Sequence, residues 1–312
     1  MAGSTDLIDM SRPLRELSLE GHEILGKGRS ATVYRLDHDR IVKCYVPNVP
    51  LKKIQQEMDL AAKAYAAGIP TAQVFELVRV GSQYGVIFEL IADAQTVGHV
   101  ITAHPERMEE LTDKFASLWR EIHHTVVESA DIFPSVKQTW TGWADGMAPH
   151  YSESENAFIR EMIEAVGDRP TMDHCDYHEN NVMVDGERLV LIDMVDIGYG
   201  HPIFDLAGLA FRVHCDTIAG RNANRGLSPD NLRRFWDLVL RSYFKTSDTA
   251  EIDDIKELCN AYGFLRSALF PMKHVQISEQ LRDLHIADAR AYLFDRQDWV
   301  RSQLPKLNRY FS

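Results

Sequence analysis

The sequence predicts an α+β protein of two lobes, in which a small antiparallel β-sheet with one helix precedes a larger, mainly helical lobe. Three observations support this prediction. The 312-residue chain exceeds the usual size of one domain. Strand-like runs fill residues 22–91, and apolar residues at helical spacing dominate beyond residue 100. We therefore expect a lobe of residues 1–92 and a lobe of residues 93–312.

The first lobe contains five runs rich in β-branched and aromatic residues. They predict strands at His22–Leu25, Thr32–Leu36, Arg40–Val46, Phe75–Val80 and Tyr84–Ile91. Short polar turns at residues 37–39 and 81–83 connect neighbouring strands. One helix interrupts the strands, because apolar residues recur at helical spacing between Pro50, a good first-turn residue, and Gly68, a good helix end.

The second lobe is predicted to be mainly helical. Apolar stripes indicate helices over about residues 106–127 and 252–270. Two further helices should begin after Ser228, which is followed by a proline, and after Ser278. We find no internal repeat in the chain.

The composition excludes several classes of protein. Lys and Arg number 34 and Asp and Glu 46, so 34 − 46 gives a net charge of −12, which disfavours binding to nucleic acid or anionic membranes. No apolar stretch approaches membrane-spanning length, and residues 1–21 lack the apolar core of a signal peptide. We therefore expect a cytoplasmic protein. The four widely spaced cysteines are expected to be reduced thiols: Cys44, Cys175, Cys215 and Cys259.

The segment from His174 to Ala207 holds the most informative motif. Residues 182–184 and 189–192 are short apolar runs joined by an Asp-Gly turn signal, so they should form an antiparallel hairpin. Asn181 and Asp193 flank the two runs, and the open end of a hairpin brings such residues side by side. Carboxylate and amide oxygens are ligands that suit Mg²⁺, so this pair is a candidate metal site. A hairpin with acidic, solvated ends is the plain structural alternative.

Asp176 lies on the loop that precedes the hairpin and could accept a proton from an attacking hydroxyl. The pattern H-x-D-x-x-x-x-N formed by His174, Asp176 and Asn181, followed by Asp193 and by Gly200-x-Pro-x-x-Asp-Leu-Ala, resembles the aminoglycoside phosphotransferase and choline kinase families. This resemblance implies a protein-kinase-like two-lobed fold, with ATP and Mg²⁺ as cofactors and a hydroxyl group of a small molecule as acceptor. It also implies that His174 and Asp205 support the catalytic loop.

A glycine-rich segment between the first two predicted strands is consistent with nucleotide binding. Its residues Gly26, Gly28, Ser30 and Val33 could cover phosphates with backbone N–H groups. Ala31 stands where protein kinases carry a third glycine, and a glycine pair between strands is often an ordinary turn.

The next strand and the helix supply a lysine and a glutamate in the order found in kinases. Strand alternation places Ile41 and Lys43 on one face, so Lys43 could reach phosphates beneath Ile41. Glu57, fourteen residues later, resembles the kinase glutamate that fixes this lysine. The sequence around Glu89 and Ile91 resembles the hinge whose backbone contacts adenine, although an ordinary edge strand would look similar.

These features predict transfer of the ATP γ-phosphoryl group to a small-molecule hydroxyl, with a protein kinase or a catalytically silent nucleotide-binding pseudokinase module as alternatives. The oligomeric state stays open. The acidic net charge favours a cationic acceptor. Trp140, Trp143 and Asp145 lie in a segment that we interpret as a loop, and they could contribute cation–π contacts to it.

Overall fold

The computed structural model describes residues 13–28, 30–127, 132–219, 226–273 and 277–311, with side chains for all of these except 215–219. Ten strands lie in these residues: β1 (Ile24–Lys27), β2 (Ala31–Arg35), β3 (Arg40–Tyr45), β4 (Val74–Val80), β5 (Gln83–Glu89), β6 (Gln95–Thr96), β7 (Thr171–Asp173), β8 (Val182–Asp185), β9 (Arg188–Leu191) and β10 (Gly198–Gly200).

The same residues contain eleven α-helices and four 3-10 turns. The helices are α1 (Leu51–Ala66), α2 (Val97–Ala103), α3 (Met108–His124), α4 (Val136–Met147), α5 (Glu153–Glu164), α6 (Ile203–Ala219), α7 (Pro229–Phe244), α8 (Thr249–Lys273), α9 (Glu279–Tyr292), α10 (Gln297–Gln303) and α11 (Lys306–Tyr310). The 3-10 turns are Pro105–Arg107, Ala148–His150, Met194–Asp196 and Phe294–Arg296.

The chain packs into two compact units. The first consists of the described residues up to Gln95 together with Met183–Asp196, and the second consists of the described residues of Thr96–Val182 and 197–312. The sequence prediction used one continuous boundary after residue 92. The hairpin segment joins the first unit because β9 is bonded to the chain after α1: Leu191 N–H donates to the Pro70 carbonyl at 2.7 Å, and Thr71 Oγ1 donates to the Leu191 carbonyl at 3.0 Å.

A five-stranded antiparallel sheet forms the body of the first unit, in the order β1-β2-β3-β5-β4. All five predicted strands are present with shifted ends; β1, for example, begins at Ile24 instead of His22. Helix α1 covers one face, where Ile54 and Met58 pack against Leu77 and Val86. The predicted alternation is confirmed, because Val42 packs in a separate cluster with Val78 and Ile87.

The second unit is built mainly from helices around an aromatic core. Phe115 and Trp119 of α3 pack against Tyr177, and Phe115 also packs against Phe235 of α7. The predicted helix starts after Ser228 and Ser278 are confirmed, since Ser228 Oγ and Ser278 Oγ accept hydrogen bonds at the starts of α7 and α9. No described helix is long and apolar enough to cross a membrane.

One sequence prediction in this unit is wrong. The segment with Trp140, Trp143 and Asp145 is helix α4 and not a loop, because Ser135 caps its start and Trp140 anchors it in the core. Trp140 is 1% exposed, and its ring contacts those of Trp143 and Phe204. Asp145 forms an ion pair with Arg160 at 2.6 Å. Trp140 therefore offers no accessible ring face to a cationic ligand.

The cysteine prediction is borne out for the side chains that the structure describes. Cys44, Cys175 and Cys259 are buried thiols. The side chain of Cys215 lies outside the described residues, as do residues 1–12, which belong to the segment predicted to lack a signal peptide.

Candidate active site

The glycine-rich segment forms the turn between β1 and β2. Gly26 pairs with Val33 across the two strands, and Gly28 N–H donates to the Ala31 carbonyl at 2.8 Å. The Ser30 carbonyl accepts a hydrogen bond from Val46 N–H at 2.9 Å, which ties the turn to the end of β3. Arg29, which the sequence motif includes, lies outside the described residues. The local geometry is therefore that of a hairpin, and phosphate binding by its N–H groups stays a prediction.

Strands β2 and β3 place three predicted nucleotide-binding residues on the α1 face of the sheet. Val33 lies directly opposite Lys43 in the antiparallel ladder. Directly opposite residues in such a ladder share a face, and so do residues two apart in one strand. Ile41 and Lys43 therefore project to the same side as Val33.

Lys43 lies between two carboxylates of the first unit. Its Nζ is 2.5 Å from Glu57 Oε1 and 3.0 Å from Asp193 Oδ1. Burial would lower the pKa of Lys43, but Asp193 and Glu57 together raise it above its usual range. The lysine is therefore fully protonated at neutral pH. The pairing of Lys43 with Glu57 was expected from kinases; the contact with Asp193, 150 residues away, was not.

Two carboxylates, those of Glu57 and Asp193, contact the one ammonium group of Lys43. Burial raises the pKa of Glu57, and the attraction of Lys43 only partly opposes it. The Asp193 side chain is 40% exposed, so an ion from solvent can reach its carboxylate. A carboxylate oxygen suits Mg²⁺, and the metal role of Asp193 stays a prediction.

Asp193 holds an unusual backbone conformation at the end of the hairpin. It follows β9 by two residues and has φ of 65°, in the left-handed region that non-glycine residues seldom adopt. The 3-10 turn Met194–Asp196 that follows packs against α1. Strain of this kind persists where the surroundings fix the backbone, and it is concentrated at functional sites.

The predicted hinge residues lie at the end of β5. Glu89 N–H donates to the Gln73 carbonyl at 2.8 Å, and the Glu89 carboxylate accepts a hydrogen bond from Gln73 N–H at 3.1 Å. The Ile91 carbonyl accepts from Ala94 N–H at 3.4 Å. Adenine contact by the remaining backbone groups of these two residues stays a prediction.

In the second unit, a buried network supports the loop that carries Asp176. His174 Nδ1 accepts a hydrogen bond from Asp176 N–H at 3.3 Å, and His174 N–H donates to Asp205 Oδ2 at 3.0 Å. Asp205 Oδ2 also accepts from Trp119 Nε1 at 2.9 Å. His174 and Asp205 are both fully buried and hydrogen-bonded, which fits the supporting role that the resemblance implied.

Asp173 and His123 extend this buried network. His123 Nε2 lies 3.2 Å from Asp205 Oδ2 and 3.4 Å from Asp173 Oδ1. Burial raises the pKa of Asp173 well above its usual value, and the Asp205 carboxylate raises it further. Asp173 is thus the carboxyl group of this pair that holds a proton more strongly, and this was not anticipated from the sequence.

Four side chains surround the carboxylate of Asp176. Asn181 Nδ2 is 3.4 Å from Oδ2 and His178 Nε2 is 3.8 Å from it. Lys273 Nζ and Arg266 Nη2 lie 3.1 and 3.5 Å from Oδ1. Burial opposes ionisation of Asp176, but Lys273, His178 and Arg266 overcome it and hold the pKa far below its usual range.

Arg266 and Lys273 were not identified from the sequence. Arg266 could have been recognised because it is a lone arginine in an apolar run of α8, and a buried basic residue needs a specific partner. Lys273 follows seven residues later, on the same helical face.

Asn181 is oriented so that its amide oxygen is the group available to a hard cation. Its Nδ2 donates to the Asp176 carbonyl at 3.0 Å, and its backbone N–H donates to the His178 carbonyl at 2.9 Å. No described residue donates a hydrogen bond to Oδ1. The donor chemistry therefore fits Mg²⁺. Asn181 belongs to the second unit and Asp193 to the first, so their joint action in one metal site stays a prediction.

The motifs that carry this geometry extend over much of the chain. A model of the phosphotransferase enzyme family matches residues 22–235, which is more than half of the 312 residues. The chain belongs to the phosphotransferase enzyme family. Comparison of this phosphotransferase with curated protein sequences found no match.

Solved structures similar to this phosphotransferase include kinases and phosphotransferases of small molecules. A choline/ethanolamine kinase family protein from Mesorhizobium loti is 17% identical, with a TM-score of 0.61 and 92% of each chain covered. An ADP-bound aminoglycoside phosphotransferase is 15% identical, with a TM-score of 0.55 and coverage of 88% of this chain and 94% of the other. An ethanolamine kinase from Plasmodium vivax is 13% identical, with a TM-score of 0.56 and coverage of 90% and 84%. The predicted protein-kinase-like fold is confirmed.

Proposed function

We propose that this phosphotransferase moves the γ-phosphoryl group of ATP to a hydroxyl group of a small molecule. The observation that carries the proposal is the cluster of Lys43, Glu57 and Asp193, in which a protonated lysine is held by two acids. This is the lysine–glutamate–aspartate set that phosphoryl transfer requires in kinases. Adenine nucleotide as donor is supported by the similar aminoglycoside phosphotransferase, which is described as ADP-bound.

In the proposed reaction, the bond between the γ-phosphorus and the oxygen that bridges it to the β-phosphate breaks. A bond forms between the phosphorus and the acceptor hydroxyl oxygen, ADP keeps the electron pair, and the hydroxyl proton leaves. Lys43 supplies positive charge to the phosphate oxygens, and Glu57 fixes its position. The glycine-rich residues Gly26, Gly28 and Ser30 would cover the phosphates.

Asp193 and Asn181 would hold Mg²⁺, consistent with the accessible carboxylate of Asp193 and with the orientation of the Asn181 amide. When bound, the ion neutralises charge on the transferring phosphoryl group. Val33, Ile41 and the backbone of Glu89 and Ile91 would contact the nucleoside.

Asp176 would orient the acceptor hydroxyl and take its proton late in the reaction. The cations around it hold its pKa far below its usual range, so it is a weak base and does not deprotonate an alcohol in the ground state. A phosphoryl transfer with a loose transition state does not need such early deprotonation, because little bond to the nucleophile has formed.

A small acceptor is supported over a protein acceptor by the family and by the similar structures, whose names specify choline, ethanolamine and aminoglycosides. A silent nucleotide-binding module is the less favoured alternative, since Lys43, Asp176, Asn181 and Asp193 are all present.

Titration calorimetry with MgATP and a screen of hydroxyl compounds for MgATP consumption and phosphorylated product test the proposal. We expect nucleotide binding that Lys43→Met weakens, and a phosphate ester as product. Absence of MgATP binding by the wild-type protein would refute the proposal, and phosphorylation of protein substrates alone would replace the small acceptor with a protein.

A further inference from the structure

Two basic side chains of α8 meet the carboxylate of Asp176. Lys273 Nζ lies 3.1 Å and Arg266 Nη2 lies 3.5 Å from the same oxygen, Oδ1. The two positions are seven residues apart, about two helical turns, so one face of α8 presents both. One carboxylate is thus contacted by two cations.

The positive charge of Arg266 is permanent and poorly shielded. A guanidinium group does not lose its proton in proteins. Arg266 is 3% exposed; its Nη2 donates to the Cys175 carbonyl at 2.8 Å, while its buried Nη1 has no hydrogen-bond partner among the described residues. A buried charge is screened less than an exposed one, so its field acts on any ligand that reaches Asp176.

The acid that follows Asp176 on the same loop is neutralised by its own partner. Glu179, which follows Asp176 by three residues, is fully buried and engaged by Arg212, with contacts of 2.5 and 3.1 Å. The Asp176 side chain is 33% exposed, so an acceptor can reach it. An ammonium group beside the reacting hydroxyl would approach Lys273 and Arg266 and be repelled, whereas an anionic group would be attracted.

We infer that the acceptor is an alcohol carrying an anionic group, a carboxylate or a phosphate ester, near the reacting hydroxyl, with Lys273 as the residue that binds this group. The inference rests on the proposed function and specifies its acceptor. It replaces the cationic acceptor that the net charge of −12 favours, because the charges next to Asp176 act at shorter range than the average charge of the surface.

The test uses acceptors that share a carbon skeleton and differ in charge at one carbon. One set is glycerate, glycerol and aminopropanediol, with glycerol phosphate to separate phosphate from carboxylate. A second set is glucuronate, glucose and the analogue of glucose with an amino group at the terminal carbon. In each set we expect kcat/KM with saturating MgATP to be at least about tenfold higher for an anionic member than for the cationic member.

Lys273→Met should clearly lower this ratio while leaving KM for MgATP unchanged, and the part of the preference that persists would come from Arg266. Lys256→Met is the matched control, because Lys256 lies on the same helix and also pairs with an aspartate, Asp237. It should leave the ratio unchanged. A purely structural role for Lys273 would lower kcat/KM for all acceptors together and would overturn the inference.

The inference is also overturned if kcat/KM is not higher for the anionic members of the sets. It is likewise overturned if Lys273→Met raises KM for MgATP instead of KM for the acceptor. Calorimetry with MgATP alone separates this failure from failure of the proposed function. Binding of MgATP with preference for the cationic acceptor refutes only the anionic acceptor. A protein that does not bind MgATP refutes both.

Discussion

Glu57→Gln tests whether the buried ion pair fixes Lys43. The two side chains are 7% and 18% exposed, and the pair has a separation of 2.5 Å. Removal of one partner from a buried pair costs about 3–5 kcal/mol. Here Asp193 stays 3.0 Å from the lysine, and the neutral amide no longer has to be buried as a charge. We therefore expect the free energy of unfolding to fall by about 2 kcal/mol.

Urea unfolding followed by tryptophan fluorescence measures this change, and calorimetry measures the affinity for MgATP. We expect the affinity to fall about tenfold, because a less constrained lysine binds phosphates less well. Glu109→Gln is the matched control: its ion pair with Arg234 is 3.2 Å long and both side chains are more than half exposed, so its loss should change stability by at most about 0.5 kcal/mol. If Glu57→Gln matches this control in both assays, Glu57 does not anchor Lys43.

Three further substitutions test other parts of the site. Asp176→Asn should lower turnover at least about a hundredfold while MgATP still binds; comparable turnover in steady-state assays would exclude Asp176 as the proton acceptor. Asp193→Ala should sharply weaken the magnesium dependence of nucleotide binding, and an unchanged magnesium titration would contradict its role as a ligand. Asp173→Asn tests the raised pKa of this carboxyl group. The unfolded chain loses the Asp173 proton above about pH 4, whereas the folded protein keeps it to higher pH because its pKa is raised. The free energy of unfolding of the wild type should therefore fall relative to that of the variant as pH rises, by at most about 1.4 kcal/mol per pH unit. Urea unfolding at pH 5 and pH 8 should therefore show the variant gaining on the wild type, and a pH-independent difference would show that Asp173 is ionised in the folded protein.

Local sequence patterns predicted those parts of the fold that depend on neighbours along the chain. Alternation in β3 was enough to place Ile41 and Lys43 on one face, whereas the pairing of Lys43 with Glu57 was expected from the resemblance to kinases. The helix starts after Ser228 and Ser278 were likewise predicted, since a serine before a helix can accept a hydrogen bond from that helix.

Interactions between distant segments were beyond these patterns. Nothing near Lys273 in the sequence shows that it contacts a carboxylate almost a hundred residues earlier. The interpretation of residues 140–145 as a loop failed for a similar reason: the capping Ser135 was overlooked, and the buried position of Trp140 depends on Phe204, which lies in another helix. Net charge has the same limit, because it averages over the surface and gives no information on which charges meet at Asp176.

The division of the chain into units has a consequence for its synthesis. A ribosome releases residues in order, and segments fold as they become available. The five-stranded sheet and α1 are complete by residue 89, yet Met183–Asp196, which belongs to the same unit, emerges about a hundred residues later. Until then Lys43 lacks its contact with Asp193, and Pro70 and Thr71 lack their bonds to β9. The nascent first unit therefore stays incomplete while all of α2 to β7 is made. A chain interrupted before the hairpin would leave Lys43, Pro70 and Thr71 without these contacts.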